Sequence, residues 1–326
     1  MKARFHPFPL PTDSGRRLTG TINPEGNEKR ELKAMETGET NVGNACDHAH
    51  HEEAGEEIIK VRERLSHIRH KLIVMSGKGG VGKSSVAAYL AIGLGRLGNR
   101  VGLLDVDFHG PSIPRMLGIS GMFRFSEKEK ALMPHEYEDH LKVVSIECLL
   151  EDRDAAVIWR GPMKHGVIKQ FISEVDWGEL DYLVIDSPPG TGDEPLSVAQ
   201  TIEGTRAVIV TTPQEIALAD VRKSINFCHH LAMPIVGLVE NMSGYVCPHC
   251  GQESPLFGRG GGRRTAEQMN VHFLGALPFD PRLVEASDLG RTLTEREKAS
   301  PFTLALSNFV SEVIQRSEVL AESQHP

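Results

Sequence analysis

Three things are scarce in this sequence, and each scarcity closes off a class of explanation. No apolar run approaches the ~20 residues that a helix needs to cross a bilayer, so no membrane partner is expected. The amino-terminal stretch MKARFHPFPLPTDSGRR has no apolar core of the secretory-signal kind, which makes a cytoplasmic protein the expectation. Positive charge is also short: 36 Lys and Arg stand against 44 Asp and Glu, for a net charge of −8. Nucleic-acid binding ordinarily needs a basic surface excess, so no nucleic-acid partner is expected. Cysteine is the third. The five residues Cys46, Cys148, Cys228, Cys247 and Cys250 are odd in number and widely spread, unlike a secreted disulfide framework. Cys148 and Cys228 lie in apolar surroundings and read as small buried hydrophobes. Only Cys247 and Cys250 stand at a spacing that suggests chemistry.

What is present is an ordinary globular composition, 40% hydrophobic and 25% charged over 326 residues, unevenly distributed. Residues 1–57 are rich in Pro, Gly, Thr, Asn and Glu, with few large apolar side chains. Such a segment buries too little surface to offset its ordering entropy, and it reads as a flexible N-terminal extension. It contains Cys46, His48, His50 and His51, a pattern that is more often incidental than a metal site.

From 58 to 326 the pattern is that of one domain. Ile58, Val61, Leu65 and Ile68 are spaced for an amphipathic helix over Glu56–His70. The run Leu72–Ser76 then reads as a buried strand. Further strands are expected at Arg100–Asp105, Leu141–Ile146, Tyr182–Asp186, Ala207–Thr212, Ile235–Glu240 and Phe273–Leu277. Helices are expected at Lys83–Leu97, Met163–Ser173, Ala217–Leu231 and Gly262–Met269. Pro301–Leu320 also has helical apolar spacing, with Arg316 its one basic residue, which favours packing on the domain over membrane binding. Strands alternating with helices imply an α/β fold, a mostly parallel twisted sheet with helices on both faces.

Between the first strand and helix lies Gly77-Lys78-Gly79-Gly80-Val81-Gly82-Lys83-Ser84, which fits G-x-x-x-x-G-K-[ST]. Its glycines let successive backbone N–H groups turn toward an anion, and the following helix adds its dipole. Lys83 is placed to reach the β- and γ-phosphates of ATP, and the Ser84 hydroxyl to ligate Mg²⁺. This is the signature of a P-loop NTPase. Lys78 resembles the second lysine of the deviant Walker A motif, KGGVGK[ST], of the MinD/ParA/nitrogenase-reductase class of ATPases. That resemblance implies that Lys78 crosses a dimer interface to the partner's nucleotide.

The same class implies roles for acids further along. Asp105 and Asp107 end the second strand, where open α/β sheets gather their ligand groups. By resemblance, Asp107 would orient or deprotonate the attacking water and Asp105 would lie near Mg²⁺. Tyr182–Asp186 looks like a Walker B strand, with Asp186 in the magnesium shell, followed by a switch loop Ser187-Pro-Pro-Gly-Thr-Gly192. Asn241 matches the position where the class reads adenine; a plain turn residue is the competing reading.

Cys247-Pro-His-Cys250 supplies two thiolates three residues apart, half of a four-ligand site, and a two-fold homodimer would supply the other half. A redox dithiol, half of a zinc ribbon, or idle thiols are the alternatives. Taken with GKGGVGKSS (77–85, ending in Ser85), LLDVDFHGPSIPRMLG (103–118), WRGPM (159–163), DYLVIDSPPGTGDEPLS (181–197), VENMSGYVCPHCG (239–251) and LGALPFDP (274–281), the chain resembles the Mrp/ApbC family of iron–sulfur cluster carrier ATPases. That resemblance implies a homodimer bridging a [4Fe–4S] cluster through both copies of Cys247 and Cys250. It also implies exchange of that cluster with scaffold proteins and apo-proteins, linked to slow ATP hydrolysis. A ParA/MinD-like spatial-organisation ATPase, or a dimeric regulatory ATPase with structural zinc at the cysteine pair, are the rival expectations.

Overall fold

The computed structural model describes residues 57–128, 130–150, 159–247, 249–293 and 300–323. The N-terminal extension, with Cys46 and its neighbouring histidines, falls outside the described residues but for its last position.

An eight-stranded sheet organises the domain, in the order β12-β9-β8-β1-β7-β2-β6-β5. Its members are β1 (Ile68–Ser76), β2 (Val101–Asp105), β5 (His135–Tyr137), β6 (Leu141–Ser145), β7 (Leu180–Asp186), β8 (Thr205–Thr211), β9 (Ile235–Glu240) and β12 (Phe273–Ala276). Every neighbouring pair is parallel except β5 with β6. The expected mostly parallel sheet is therefore present, closed on one side by a short antiparallel edge strand. That edge and the small hairpin of β3 (Arg124–Ser126) with β4 (Ala131–Met133) are absent from the sequence reading. Three-residue strands are too short to display a period.

Parallel strands need crossover connections, and here these are helices that bury both sheet faces. Leu72 and Val74 of β1 enter one apolar core, together with Leu103, Val184 and Val208, beneath α2 (Lys83–Arg96) and α9 (Pro301–Glu322). Ile73 and Met75, pointing the other way, enter a second core with Leu104, Ile185 and Ile209. That second core lies beneath α4 (Gly161–Ser173), α5 (Asp193–Thr201), α6 (Glu215–His230) and α7 (Gly261–Gln268). Burial on both faces is why these strands read as continuous apolar runs. The long helix α9 turns Phe302, Phe309, Val310 and Val313 inward, as its expected packing on the domain requires.

The helix expected over Glu56–His70 is divided. Residues 57–66 are helical (α1), and β1 begins at Ile68, which pairs with Leu180. Ile68 fits the helical spacing but belongs to a two-residue alternation, with Ile68 and His70 buried and Arg69 exposed between them. Sheet pairing overrides the local period there.

His70 closes the amino-terminal end of the sheet against α9. Its ring stacks on Tyr182 at 4.9 Å; Arg206 Nη1 donates to Nδ1 at 3.2 Å, and Nε2 faces Glu318 at 3.3 Å. Burial holds its pKa below the usual 6.5, outweighing the attraction of Glu318. A base whose folded pKa is depressed contributes stability above its unfolded pKa and loses it on acidification. Thermal stability should therefore fall as pH drops below 6.5, and His70→Gln should flatten that part of a melting-temperature profile; an identical slope in the variant would contradict this assignment.

Candidate functional site

The carboxyl ends of β1, β2, β7, β8 and β9 converge, and the candidate residues lie there, where open α/β sheets bind ligands. β1 ends at Ser76 and the glycine loop follows. The Ser76 hydroxyl donates to the Lys78 carbonyl at 2.9 Å, turning the chain back toward α2. Gly82 sits at φ 79 immediately before that helix, and a Cβ there would meet the Asn241 amide nitrogen at 2.3 Å. Gly77 passes equally close to α6: a Cβ would lie 2.4 Å from the Asp220 carbonyl carbon. Gly79 and Gly80, by contrast, face open space on the crest of the loop.

Lys83 begins α2 and is buried, 6% exposed. Its ammonium lies 2.7 Å from Asp186 Oδ1, 3.3 Å from Asp107 Oδ2 and 3.4 Å from the Ser84 hydroxyl oxygen. The strand register explains the convergence. β2 and β7 pair with Asp105 directly opposite Asp186, so two carboxylates end neighbouring strands side by side. Both are fully buried. Burial raises the pKa of Asp105, Asp186 raises it further, and hydrogen bonds and Lys83 only partly offset these effects, leaving it at about 8. Burial likewise raises Asp186, against the pull of Lys83 and the Ser84 hydroxyl. Burial alone would lower Lys83, but Asp186, Asp107 and Asp105 outweigh it and hold its ammonium above the ordinary lysine value.

Asp105 is held from several sides. Its Oδ1 accepts from the Asp107 N–H, and its Oδ2 from the Ser145 hydroxyl at 3.0 Å and the Ile113 N–H at 3.4 Å. Asp107 in turn accepts from the His109 N–H. The loop after β7 is pinned to β1: Ser187 Oγ donates to the Val74 carbonyl and the Gly190 N–H to the Ser76 carbonyl. Thus Lys83, Ser84, Asp105, Asp107 and Asp186 are brought together, as their sequence spacing anticipates. The donor set suits a hydrated divalent cation beside phosphate: Asp186 Oδ2 is buried with no hydrogen-bond partner, and the Ser84 hydroxyl is adjacent.

Three other candidates are placed differently. Ser85 Oγ donates to Met116 Sδ at 3.8 Å, turned toward α3 (Ile113–Leu117). Lys78 is partly exposed, and among the described residues its ammonium has no hydrogen bond or ion pair. Asn241 is 8% exposed, and its Nδ2 donates to the Val81 carbonyl at 2.9 Å. One amide proton of Asn241 is therefore committed to bracing the phosphate loop, a contact that spacing along the chain does not reveal.

The cysteine pair lies on a hairpin rooted beside Asn241, formed by β10 (Tyr245–Val246) and β11 (Glu253–Ser254). The Cys247 N–H donates to the Gln252 carbonyl, and the Gly251 N–H to the Cys247 carbonyl. Hydrogen bonds from the backbone of Cys250 and His249 hold the Cys247 thiol below its usual pKa, favouring the thiolate that soft metals bind. Among the described residues, no group of three or more His, Cys, Asp or Glu is arranged to hold a metal, so the pair offers two thiols there and no further ligand. Cys228 is buried and pushed up to about 12. It is an inert core thiol, like the buried Cys148.

A second charged cluster adjoins the site; His109 and Glu194 fall inside quoted motifs without being singled out, and Lys164 lies just beyond one. Lys164, on the first turn of α4, pairs with Glu194 on α5; His109 Nε2 lies 2.8 Å from the same Glu194 oxygen. Lys164 and His109 hold the Glu194 carboxyl below its usual range although burial opposes this. The cluster ties the segments after β2 and β7 to α4.

A glycine-rich two-lysine loop between β1 and α2, flanked by acid-ended parallel strands, defines a P-loop NTPase of the ParA kind. The model of a family described as "ParA: NUBPL iron-transfer P-loop NTPase" matches residues 67–314, and the chain belongs to this family. It is 46% identical over 262 residues to the iron-sulfur cluster carrier protein of Methanocaldococcus jannaschii, across 79% of this chain and 90% of that one. It is 47% identical over 251 residues to the cytosolic Fe-S cluster assembly factor NUBP2 homolog of Dictyostelium discoideum, across 76% of this chain and 94% of that one. Among solved structures, a nucleotide-binding protein of Archaeoglobus fulgidus in complex with ADP, described with Co, superposes with a TM-score of 0.65 at 41% identity. That match covers 76% of this chain and 95% of that chain.

Because Lys83 neutralises buried acids, its removal leaves charge uncompensated. Lys83→Met should destabilise the nucleotide-free protein by about 3–5 kcal/mol, and by less on acidification, since burial already raises the Asp186 pKa. Adding Asp186→Asn should restore much of the loss in a urea titration; equal stability of wild type and Lys83→Met would show that the cluster is not coupled.

Proposed function

We propose that this chain is an ATP-hydrolysing carrier of [4Fe–4S] clusters that works as a homodimer in the cytosol, loading from scaffold proteins and delivering to apo-proteins. One observation supports this reading above the rest. The same sheet end carries a phosphate loop whose second lysine, Lys78, has no partner among the described residues, and a two-thiol hairpin with half the ligands a cluster needs. A second copy turned face to face would complete both. The names of the relatives agree with such a cargo, and one of them is called cytosolic. Among the described residues no helix is long and apolar enough to cross a membrane.

The chemistry follows from the charges. Polyphosphate on the loop backbone from Gly77 to Ser85 competes with Asp186 and Asp107 for Lys83. Drawn toward the phosphates, Lys83 releases Asp107 Oδ2, which then accepts a proton from, or aligns, the attacking water. Ser84, Asp186 and Asp105 would hold a hydrated Mg²⁺, which would supply neutralisation of the phosphate charge. The partner's Lys78 adds positive charge where negative charge gathers in the transition state. Asn241 retains its Oδ1 to accept from the adenine amino group while Nδ2 holds Val81. Turnover is slow because the complete site forms only in the nucleotide-loaded dimer.

Anaerobic reconstitution with iron and sulfide, followed by metal and sulfide analysis and sedimentation, tests the cargo. The expected product is a brown dimer with about four iron and four sulfide per two chains, lost in Cys247→Ala and Cys250→Ala. A colourless dimer with about one zinc would overturn the carrier reading and leave a structural clasp.

A further inference from the structure

The strand β9 ends in two residues that face different machinery. Glu240 is fully buried, and its carboxylate accepts three hydrogen bonds: from Ser243 Oγ at 2.5 Å, from the Gly260 N–H at 2.8 Å and from the Gly262 N–H at 2.5 Å. Ser243 lies where the cysteine hairpin leaves the sheet; Gly260 and Gly262 lie where it returns, at the first turn of α7. One carboxylate therefore closes the whole excursion that carries Cys247 and Cys250. The packing is tight: a Cβ on Gly262 would lie 3.0 Å from Glu240 Cβ and 3.1 Å from its Oε2.

The next residue, Asn241, holds the Val81 carbonyl of the phosphate loop, and both Asn241 and Met242 crowd the position that a Cβ on Gly82 would occupy. Met242 itself has φ 54, a left-handed backbone unusual for a side chain of its size, which turns the chain sharply from Asn241 toward Ser243. The hairpin's entry is fixed further by the Ser243 N–H to the Leu277 carbonyl and the Phe279 N–H to the Gly244 carbonyl. Four consecutive residues, 240 to 243, thus run from the closure of the cysteine hairpin to the rim of the phosphate loop without slack.

We propose that Glu240 and Asn241 form a strap that transmits the state of the phosphate loop to the cysteine hairpin, with Glu240 the positioning residue for Cys247 and Cys250. The inference rests on nucleotide binding at the loop and on the cysteines as the cargo site. When phosphate reorders the backbone around Val81 and Gly82, Asn241 moves with it. Because Glu240 clamps both roots of the hairpin, the displacement reaches the thiols as a change of orientation and is not absorbed as loop flexibility. Communication of this kind is carried by a contiguous packed and hydrogen-bonded element, which the 240–243 turn supplies.

The test uses the reduced, metal-free full-length chain, so its outcome is independent of whether the cargo is a cluster or zinc. Iodoacetamide alkylation of Cys250 and Cys247 is followed by peptide mass spectrometry without nucleotide, with Mg-ADP and with Mg-AMPPNP; the buried Cys148 and Cys228 report unfolding. In wild type, AMPPNP should change the Cys250 rate by about fivefold or more, the lower range of a typical coupling between sites. In Glu240→Gln, which removes one acceptor yet touches no phosphate, that change should vanish while AMPPNP still binds. Ser243→Ala, a milder loss of one hydrogen bond, should give an intermediate response and decides the matter if Glu240→Gln does not fold. A full nucleotide response in the variant that folds, or none in wild type, overturns the strap. A colourless reconstituted protein with an intact alkylation response would instead overturn the cargo reading and leave the strap standing.

Discussion

The arrangement depends on one constraint: two strands that end in register with acids. Asp105 and Asp186 are direct partners across β2 and β7, both fully buried, and their mutual repulsion in a water-poor setting would oppose folding if nothing met it. Lys83 meets it. Its position as the first residue of α2 follows from the glycine loop, which turns the chain within a few residues from the end of β1 into the helix above those strand ends. Loop, lysine and acids are one electrostatic unit. Burial and the neighbouring Asp186 push the Asp105 pKa up to about 8, and Lys83 makes its contacts to the other two carboxylates, Asp186 and Asp107. A ligand that brings more negative charge than these carboxylates shifts the balance, which is what a polyphosphate does.

A second layer links that unit to the rest of the sheet end. The loops after β2, β7 and β9 are each tied back: Asp107 through Asp105, Ser187 and Gly190 through β1, Asn241 through Val81. Outside them, Lys164 gathers Glu194 and His109. None of these bonds is strong alone, since a typical net contribution is about 1 kcal/mol. Together they tie the loops to the sheet end, and the cysteine hairpin leaves the same strand end, closed by Glu240.

How much of this was legible in the sequence differs by feature, for physical reasons. The phosphate loop and the buried strands announce themselves because glycine spacing and two-faced burial leave local patterns. The carboxylates could be named from their places at strand ends, but their shared proton economy depends on register, which spacing does not encode. The first strand begins four residues before the apolar run Leu72–Ser76, because Ile68 satisfies two periods at once and only pairing with Leu180 decides between them. Glu240 looked like the polar end of an apolar strand, and Asn241 like a turn residue or an adenine contact; their partners, Gly260, Gly262 and Val81, are remote in sequence. Lys164 and Glu194 carry no mark in the sequence, since a half-buried ion pair between two helices has no local signature.

The account's central claim is that the nucleotide site governs a cargo held on the cysteines. The most direct measurement is the rate at which the reconstituted dimer passes its cluster to an apo-protein bearing vacant cysteine ligands, followed by recovery of the acceptor's activity with and without Mg-ATP. The account predicts a rate that changes with Mg-ATP in wild type and is insensitive to it in Lys83→Gln, although both proteins carry the same iron and sulfide. Equal nucleotide dependence in the two, or none in wild type, would contradict it.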